Sequence, residues 1–352
     1  MPIGSMKENK KDVTIYDLAR ELKVSPSTVS RALNDHHSIG KKTTAKVKKL
    51  AEKRGYRLNT LAASLRTSKS NTFGIIVSWI KRPFIATLIS GIEKAARESG
   101  YQVIITQSYD NTELEKENLR TLYASRISVL FVSLAMETRD YSHFDLCTKN
   151  NIPVVFLDRI PTQESVHKVQ INNFNAAFQA TEHLIQQGCQ RIAHFGGAKH
   201  QSIYQERRFG YVAALKKNDL DVDESIILQE SSLSEAEGTK LAEQVLSMDH
   251  PPDGIFCAND VAAVSTILYA KRKGIKIPQD LAIIGFNNDP ICEIVEPQLS
   301  SIYHPAVEMG EAAVKQAIEL LDEETATKVP SRITLDTHLV VRASSLRMDK
   351  DE

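Results

Sequence analysis

The stretch Thr14–Asn34, TIYDLARELKVSPSTVSRALN, decides how the N-terminal part of this 352-residue chain folds. Thr14 is a good N-cap, with Asp17 three positions later as a capping-box partner. Ser25 can cap a second helix, with Pro26 at the first helical position, where a missing N–H costs nothing. The pattern predicts two short helices joined by a tight turn, the first with an apolar stripe of Ile15, Leu18, Ala19 and Leu22.

The second predicted helix has an apolar side, Val29, Ala32 and Leu33, and a polar side, which consists of Ser27, Thr28, Ser30 and Arg31. Arginine can donate two parallel hydrogen bonds to guanine, and hydroxyl groups suit phosphate oxygens. This is the pattern of a helix-turn-helix, whose second helix enters the DNA major groove. The alternative at the same spacing is an ordinary two-helix hairpin with a solvated polar face.

Charge is divided along the chain, although the formal net charge is zero, with 44 basic and 44 acidic residues. Residues 1–70 hold 16 lysines and arginines against 6 aspartates and glutamates, a net of +10, so the remainder carries 28 against 38, a net of −10. A solvated surface is the alternative for any charge run. A segregation this large, on the segment with the helix-turn-helix pattern, favours nucleic acid as the partner of that segment.

A third helical segment ends at Gly55, and its basic residues are Lys41, Lys42, Lys46, Lys48, Lys49, Lys53 and Arg54. Asn59 is then a good N-cap for a short helix that ends near Leu65. That helix is too short to be stable alone in water. The alternative for this segment is a linker with one contact to the body of the protein.

Several motifs in this region together resemble the DNA-binding head of the lactose-repressor/galactose-repressor (LacI/GalR) family. They are T-I-Y-D-L-A, V-S-x-S-T-V-S-R-A-L-N, G-Y-R-L-N and A-x-x-L-R, all within residues 13–66, and the resemblance continues to about Arg342. The resemblance implies a transcription regulator, which binds double-stranded operator DNA as a homodimer and is switched by a small molecule.

The same resemblance implies roles for individual residues of the head. Base-reading positions of the recognition helix are Pro26, Ser27 and Arg31. Phosphate contacts are implied for Thr14, Tyr16, Ser25, Thr28, Asn34, Tyr56 and Asn59. The A-x-x-L-R motif supplies Ala62, Leu65 and Arg66, with Leu65 as the wedge that enters the minor groove and kinks DNA.

One departure from the family pattern affects base reading. Pro26 has neither a backbone N–H nor a polar side chain, where family members often carry a polar or aromatic reader. Sequence readout therefore depends mainly on Ser27 and Arg31.

From Asn71 onward, strands alternate with helices, and the scheme restarts after Asn172. This predicts an α/β body of two doubly wound parallel-sheet domains, and by resemblance the body is like the periplasmic sugar-binding proteins. The last predicted helix and strands of the chain are suited to cross between the two domains and to complete both. The predicted division is 1–12 N-terminal extension, 13–58 helix-turn-helix domain, 59–70 hinge helix and linker, 71–171 with about 302–330 as the N-terminal effector subdomain, and 172–301 with about 331–345 as the C-terminal one.

Ligands of such sheets bind at the carboxyl ends of strands, which here means the cleft between two domains. The polar and aromatic side chains that follow predicted strands or open the next helix are Phe84, Asp158, Arg207, Asn259, Asp260 and Asn287. The resemblance assigns ligand contacts to Arg207, Asn259 and Phe84. The alternatives are that Asp260 only caps its helix, that Asp158 pairs with Arg159, and that Phe84 belongs to the core.

Asn287 stands where many family members carry an aspartate, and an amide can both donate and accept hydrogen bonds. With Arg207 nearby, the site suits a neutral or acidic ligand. A carbohydrate or sugar derivative is therefore expected, with a nucleobase or another metabolite as the alternative.

Other classes of protein fit the sequence less well. The four cysteines lack metal-type spacing, and no nucleotide-binding or hydrolase motif is visible, so neither metal, cofactor nor catalysis is expected. A plain sugar-binding protein would lack the DNA-binding head and carry a signal peptide. Residues 1–5 resemble a remnant of cloning, and Arg347–Glu352 lacks leucine heptads for tetramer assembly. A cytoplasmic homodimer is expected.

Overall fold

A computed structural model describes residues 13–56, 70–163, 165–322 and 329–347. The chain divides into two compact units between Lys69 and Ser70, here called the head and the body. The predicted N-terminal extension and most of the predicted hinge lie outside the described residues. The predicted DNA contacts at Asn59, Ala62, Leu65 and Arg66 lie outside them as well.

Within residues 13–56, the described part of the head, there are three helices, α1 (Ile15–Leu22), α2 (Pro26–Leu33) and α3 (Lys41–Arg54). The predicted capping box at the start of α1 is confirmed: Asp17 N–H donates to Thr14 Oγ1, and Thr14 N–H donates to Asp17 Oδ2 at 2.9 Å. The helices enclose a small core, whose buried members are Leu18, Ala19, Val29, Ala32, Val47 and Ala51. Burial of apolar surface stabilises the folded state by about 25 cal/mol per Å². This burial holds the three helices together, because helices this short are not stable alone in water.

The body contains two six-stranded sheets, as predicted for two doubly wound domains. The first, with strand order β11-β5-β4-β3-β1-β2, consists of β1 (Thr72–Val77), β2 (Gln102–Gln107), β3 (Val129–Val132), β4 (Val154–Leu157), β5 (His167–Ile171) and β11 (Arg332–Leu335). The second, with order β12-β10-β9-β8-β6-β7, consists of β6 (Ile192–Gly196), β7 (Ile227–Gln229), β8 (Gly254–Cys257), β9 (Ala282–Asn287), β10 (Ser300–Tyr303) and β12 (His338–Val340). All strand pairs are parallel except β10–β12.

Helices connect the strands in both sheets. In the N-terminal subdomain, defined by the first sheet, they are α4 (Pro83–Glu98), α5 (Thr112–Ala124), α6 (Asp145–Thr148) and the late helix α12 (Ala306–Leu321). In the C-terminal subdomain, defined by the second sheet, they are α7 (Asn173–Gln186), α8 (Ser202–Lys217), α9 (Glu235–Leu246), α10 (Asp260–Arg272) and α11 (Ile291–Ile294). Because helices cover these sheets, every residue of β3, β4, β6 and β8 is buried.

Late segments of the chain complete both subdomains, as expected, but one of them joins a different sheet from the one predicted. The sequence predicts that residues from about 331 belong to the C-terminal subdomain. Instead, Arg332–Leu335 pairs in parallel with β5 of the N-terminal subdomain, and only His338–Val340 pairs with β10 of the C-terminal one. The prediction failed because such pairing is non-local, and a four-residue strand does not specify its neighbour.

Close packing of α12 on α4 explains why helix 306–321 returns to the N-terminal subdomain. A Cβ atom added at Gly91 would lie 2.5 Å from the carbonyl oxygen of Val307, and one at Gly310 would lie 2.6 Å from the backbone nitrogen of Ile92. Two glycines that face each other let the helix backbones approach. Among the described residues, no helix is both long and apolar enough to cross a membrane.

Candidate DNA-binding face and effector cavity

The second helix of the head, α2, begins at a hydroxyl cluster. Ser25 Oγ accepts a hydrogen bond from Thr28 N–H at 3.1 Å and lies 2.7 Å from Ser27 Oγ. Ser25 is thus the N-cap and Pro26 the first helical residue, as predicted. The cap satisfies one of the free N–H groups at the start of the helix and fixes the direction in which the helix leaves the turn.

The residues with implied DNA contacts mostly lie at the surface of the head. Tyr16 is 66% exposed. Also exposed are Thr14, Ser25, Pro26, Ser27, Arg31 and Asn34, whereas Thr28 and Tyr56 are half-buried. Positions 27 and 31 are one helical turn apart and share one face of α2, and Asn34 is the C-cap residue that follows the helix. The arrangement fits a helix whose outer face is free to enter a groove.

Ion pairs neutralise part of the positive charge on α3. Lys48 Nζ lies 2.6 Å from Asp35 Oδ2, and Arg54 Nη2 lies 2.6 Å from Glu21 Oε2. Arg31, in contrast, has no ion pair among the described residues. Its guanidinium therefore keeps its full set of donors for a base or a phosphate.

A cavity of about 900 Å³ lies between the two subdomains of the body. This volume falls within the ~300–1,000 Å³ typical of small-molecule sites. Its N-terminal wall includes Trp79, Lys81, Arg82, Phe84, Asp158 and Arg159, and its C-terminal wall includes Ile203, Tyr204, Arg207, Leu233, Glu235, Asn259, Val261, Asn287 and Asp289. Five of the six sequence-predicted effector residues therefore line one cavity: Phe84, Asp158, Arg207, Asn259 and Asn287.

Arg207 is the most constrained of these side chains. It is buried, its Nε donates to Asn173 Oδ1 at 2.9 Å, and its Nη1 donates to the carbonyl of Ala258 at 2.7 Å. Its guanidinium carbon lies 3.5 Å from the ring centroid of Phe286. Burial lowers the pKa of Arg207, which nevertheless keeps its charge at neutral pH. A fixed cation with only neutral hydrogen-bond partners suits a ligand oxygen.

Asn259 caps helix α10, and Asp260 does not line the cavity, which corrects the prediction for Asp260. Asn259 Oδ1 accepts from Ala262 N–H at 2.8 Å, and its Nδ2 donates to the carbonyl of Leu233 at 3.0 Å. Asp260 is fully buried. Its carboxylate accepts from Ser301 Oγ at 2.6 Å and from Asp289 N–H at 2.8 Å.

The physical reason for the position of Asp260 is a glycine in the neighbouring strand. A Cβ atom at Gly285 would lie 2.2 Å from Asp260 Oδ1, so the missing side chain makes room for the carboxylate beneath the sheet edge. Burial, followed by the charge of Asp289, raises the pKa of Asp260 to about 7. Burial also raises the pKa of Asp289 to about 6.

Asp158 points its carboxylate into a cationic corner of the cavity. Burial raises its pKa, against the opposing charges of Arg159, Arg207 and Arg82. The alternative is that Asp158 pairs with Arg159, but the hydrogen bonds of the Arg159 side chain go to other groups. Arg159 Nη1 donates to Asp110 and to the carbonyl of Leu134. Asp158 is thus available to accept hydrogen bonds from a ligand hydroxyl.

Phe84, on α4 of the N-terminal subdomain, lines the cavity and contacts residues of the C-terminal part of the chain. Its ring stacks on that of His304 with a centroid distance of 4.1 Å, and its backbone N–H donates to Asp289. His304 Nδ1 lies 3.3 Å from Asn287 Oδ1. Burial, followed by the charge of Arg207, holds the pKa of His304 well below its usual range, so this imidazole is neutral. Phe84 is therefore both a core residue and a cavity wall.

Sequence reasoning did not identify three prominent lining residues, Trp79, Arg82 and Tyr204. Trp79 and Arg82 lie between β1 and α4, just after the carboxyl end of a strand, which is where ligands of such sheets bind. The same argument that predicted Phe84 could therefore have predicted them. Tyr204 lies one turn before Arg207 on α8, and helical spacing could have found it. The described residues hold no cluster of three histidine, cysteine or acidic residues able to bind a metal ion.

Comparisons with known proteins agree with this architecture. Residues 14–59 match the bacterial regulatory proteins of the lacI family, and residues 181–345 match a periplasmic binding protein-like domain. Catabolite control protein A of Priestia megaterium is 32% identical over 92% of this chain and 98% of its own length. The HTH-type transcriptional repressor CytR of Escherichia coli (strain K12) is 32% identical over 97% of this chain and 99% of its own length.

Among solved structures, a complex of the transcriptional regulator CelR with cellobiose superimposes with a TM-score of 0.71 and 26% identity. The match covers 94% of this chain and 99% of the other. The similarity therefore extends over both the helical head and the two-subdomain body.

Proposed function

Because the chain belongs to the lacI family of bacterial regulatory proteins, a family of DNA-binding transcriptional regulators, we propose that a carbohydrate in the body cavity switches its binding to operator DNA. In this proposal the protein is a repressor of carbohydrate-utilisation genes and has no catalytic activity. It acts in the cytoplasm, where its DNA target is found. The observation that carries the proposal is the cavity between the two subdomains, in a chain whose head is a helix-turn-helix.

The lining of the cavity supports a carbohydrate as the ligand. Asp158 can accept hydrogen bonds, Arg207 can donate them, and the amide of Asn287 can do both, which matches the mixed character of sugar hydroxyls. Trp79 and Tyr204 supply flat apolar surfaces that suit the C–H faces of a sugar ring. CelR, whose structure contains cellobiose, is a relative with a sugar ligand.

A nucleobase is the second candidate, and the aromatic walls favour it. Trp79, Phe84 and Tyr204 line the same cavity and could stack on a planar ring. The carbohydrate remains the first choice because Asp158 and Arg207 place a fixed acceptor and a fixed donor at the cavity wall.

In the proposal, the head binds the operator. Arg31 and Ser27 read base edges in the major groove, while Thr14, Tyr16, Ser25, Thr28, Asn34 and Tyr56 contact phosphates. Ligand shifts the population of body conformations and thereby the relative placement of two heads in a dimer.

A homodimer has support in the exposed edge of the first sheet. Strand β2 is the last strand of that sheet, and its Ile104 and Ile105 are 36% and 39% exposed. An exposed apolar edge strand favours pairing with another chain. In the proposal, that surface contributes to contact with a second copy.

A calorimetric screen of the full-length protein tests the ligand class. Neutral sugars, sugar acids, sugar phosphates, purines and amino acids are titrated one at a time, and the Arg207→Lys variant serves as the cavity control. The proposal expects saturable heat from a carbohydrate with wild type and a loss of that heat with the variant. Tight binding restricted to purines or amino acids would refute the carbohydrate assignment.

A further inference from the structure

One segment of the N-terminal subdomain is anchored in the C-terminal subdomain. Residues 134–138, here called the latch segment, begin two positions after Val132, the last residue of β3. Met136 is 5% exposed, and its side chain belongs to the apolar cluster of the C-terminal subdomain, together with Ile203 and Tyr204. A buried methionine adapts its shape to the gap that it fills. The latch segment thus inserts an apolar side chain across the subdomain boundary.

Hydrogen bonds hold the main chain of the same segment to the start of helix α8. The carbonyl of Met136 accepts from His200 Nε2 at 2.6 Å and from Gln201 Nε2 at 3.0 Å. The carbonyl of Ala135 accepts from Gln201 Nε2 at 3.2 Å. Gln201 is only 4% exposed, so loss of these bonds would leave buried polar groups unsatisfied. Helix α8 also carries Tyr204 and Arg207 of the cavity.

Within the N-terminal subdomain, the latch segment is fixed by a buried carboxylate. Glu115 is fully buried and accepts hydrogen bonds from Ala135 N–H at 2.6 Å, Thr138 Oγ1 at 2.8 Å and His143 Nε2 at 3.0 Å. The segment therefore moves with its own subdomain. Any separation of the subdomains at this point must break the contacts of Met136 and Gln201.

Asp110 connects the latch segment to the cavity. Its Oδ1 accepts from Met136 N–H at 3.1 Å, and the same carboxylate pairs with Arg82 at 3.2 Å and with Arg159. Burial alone would raise the pKa of Asp110, but the charges of Arg159 and Arg82 outweigh it and lower the pKa. Asp110 does not itself line the cavity, whereas both arginines do.

We propose that residues 134–138 form a latch that holds the two subdomains closed over the cavity, and that Asp110 is the positioning residue that couples this latch to the cavity arginines. A ligand oxygen that binds Arg82 or Arg159 changes how firmly Asp110 holds Met136, and so changes the stability of the closed state. The proposal rests on the proposed function for the identity of the cavity as the effector site. The latch itself rests on the contacts alone.

The only tryptophan of the chain, Trp79, lines the cavity and provides a direct readout without ligand or DNA. Acrylamide quenching of Trp79 fluorescence in the full-length protein reports how often the cleft opens. Gln201→Leu removes the two hydrogen bonds that Gln201 donates to the latch segment, whereas the bond from His200 remains. Gln205→Leu is the matched control, because Gln205 is exposed on the same helix and donates to Lys199 of its own subdomain.

The latch predicts that Gln201→Leu raises the open-to-closed ratio about fivefold or more, since each lost hydrogen bond shifts an equilibrium severalfold. The quenching constant of Trp79 rises, and hydrogen exchange of residues 134–138 accelerates by a similar factor. Gln205→Leu changes neither. Equal quenching and exchange in wild type and both variants would overturn the proposal. If Gln201→Leu does not fold, Met136→Leu with the same two measurements replaces it.

Asp110→Asn tests the coupling. The amide can still accept from Met136 N–H but loses its ion pairs, so Trp79 quenching rises, whereas Asp110→Glu restores it toward wild type. Quenching that is unchanged in Asp110→Asn would remove Asp110 from the proposal. Operator binding is measured separately on the same variants. Loss of DNA binding with intact latch behaviour would refute the proposed function alone.

Discussion

The guanidinium of Arg207 lies 3.5 Å from the ring centroid of Phe286 and is held there by hydrogen bonds to Asn173 and the carbonyl of Ala258. This stack fixes in the wall of the cavity a cation that forms no direct ion pair with another described residue. Pre-organised donors of this kind bind a ligand without further ordering of the side chain.

Replacement of Arg207 by lysine should weaken ligand binding by roughly 10- to 100-fold, because an ammonium cannot reproduce the planar, stacked fork of donors. Isothermal titration with the carbohydrate identified in the screen measures the loss. Arg208→Lys is the matched control, since Arg208 pairs with Glu224 away from the cavity. Equal affinities of wild type and Arg207→Lys would contradict the assignment.

Replacement of Arg31 by alanine should relax base preference in the operator. Loss of a bidentate base contact costs about 1–3 kcal/mol on the preferred sequence and much less on random DNA. Gel-shift titrations with the operator and with scrambled duplexes measure the loss of affinity on each kind of DNA. Lys53→Ala is the control for loss of one charge. An equal loss on all duplexes would show that Arg31 contacts phosphate only.

Replacement of Asp289 by asparagine should make stability less dependent on pH. Burial raises the folded-state pKa of Asp289 to about 6 and that of Asp260 to about 7, above the ~3.9 of an unfolded aspartate. Between these values the folded protein binds more protons than the unfolded chain, so the contribution of these carboxyls to the free energy of unfolding falls as pH rises.

Asparagine cannot ionise, so the Tm of Asp289→Asn relative to wild type should increase from pH 5 to pH 8, by a few degrees at about 2–4 °C per kcal/mol. Thermal melts monitored by circular dichroism provide the comparison, with the exposed Asp249→Asn as control. A Tm difference that is the same at both pH values would show that Asp289 ionises normally.

Replacement of Gly91 by alanine should lower the free energy of unfolding of the body by about 1–3 kcal/mol, because the added methyl group would collide with the backbone of Val307. Denaturant titration measures the change. Gly40→Ala, in the head, meets nothing within 4 Å and should leave the unfolding of the body unchanged. Full stability of Gly91→Ala would mean that α4 and α12 can separate without cost.

Local features of the head could be predicted from sequence, and non-local pairings of the body could not. The caps at Thr14 and Ser25 depend on side chains within three residues of the helix start, so sequence alone specifies them. The pairing of Arg332–Leu335 with β5 depends on a partner more than 160 positions away. The sequence places two polar residues, Asn259 and Asp260, side by side at a strand end and does not show which of them lines the cavity. Asp260 is buried because Gly285, in the neighbouring strand, leaves room for its carboxylate.

The central claim is that one protein couples operator binding to a carbohydrate in the body cavity, and a single measurement tests it most directly. Operator sites are first selected from a random duplex library with the full-length protein, and binding is then titrated across a library of sugars, purines and amino acids. The account predicts sequence-selective binding whose affinity at least one carbohydrate changes tenfold or more in wild type but not in Arg207→Lys, in line with typical allosteric coupling of about 5- to 150-fold. Sequence-selective binding that no carbohydrate alters, or no selectivity for any duplex, would contradict it.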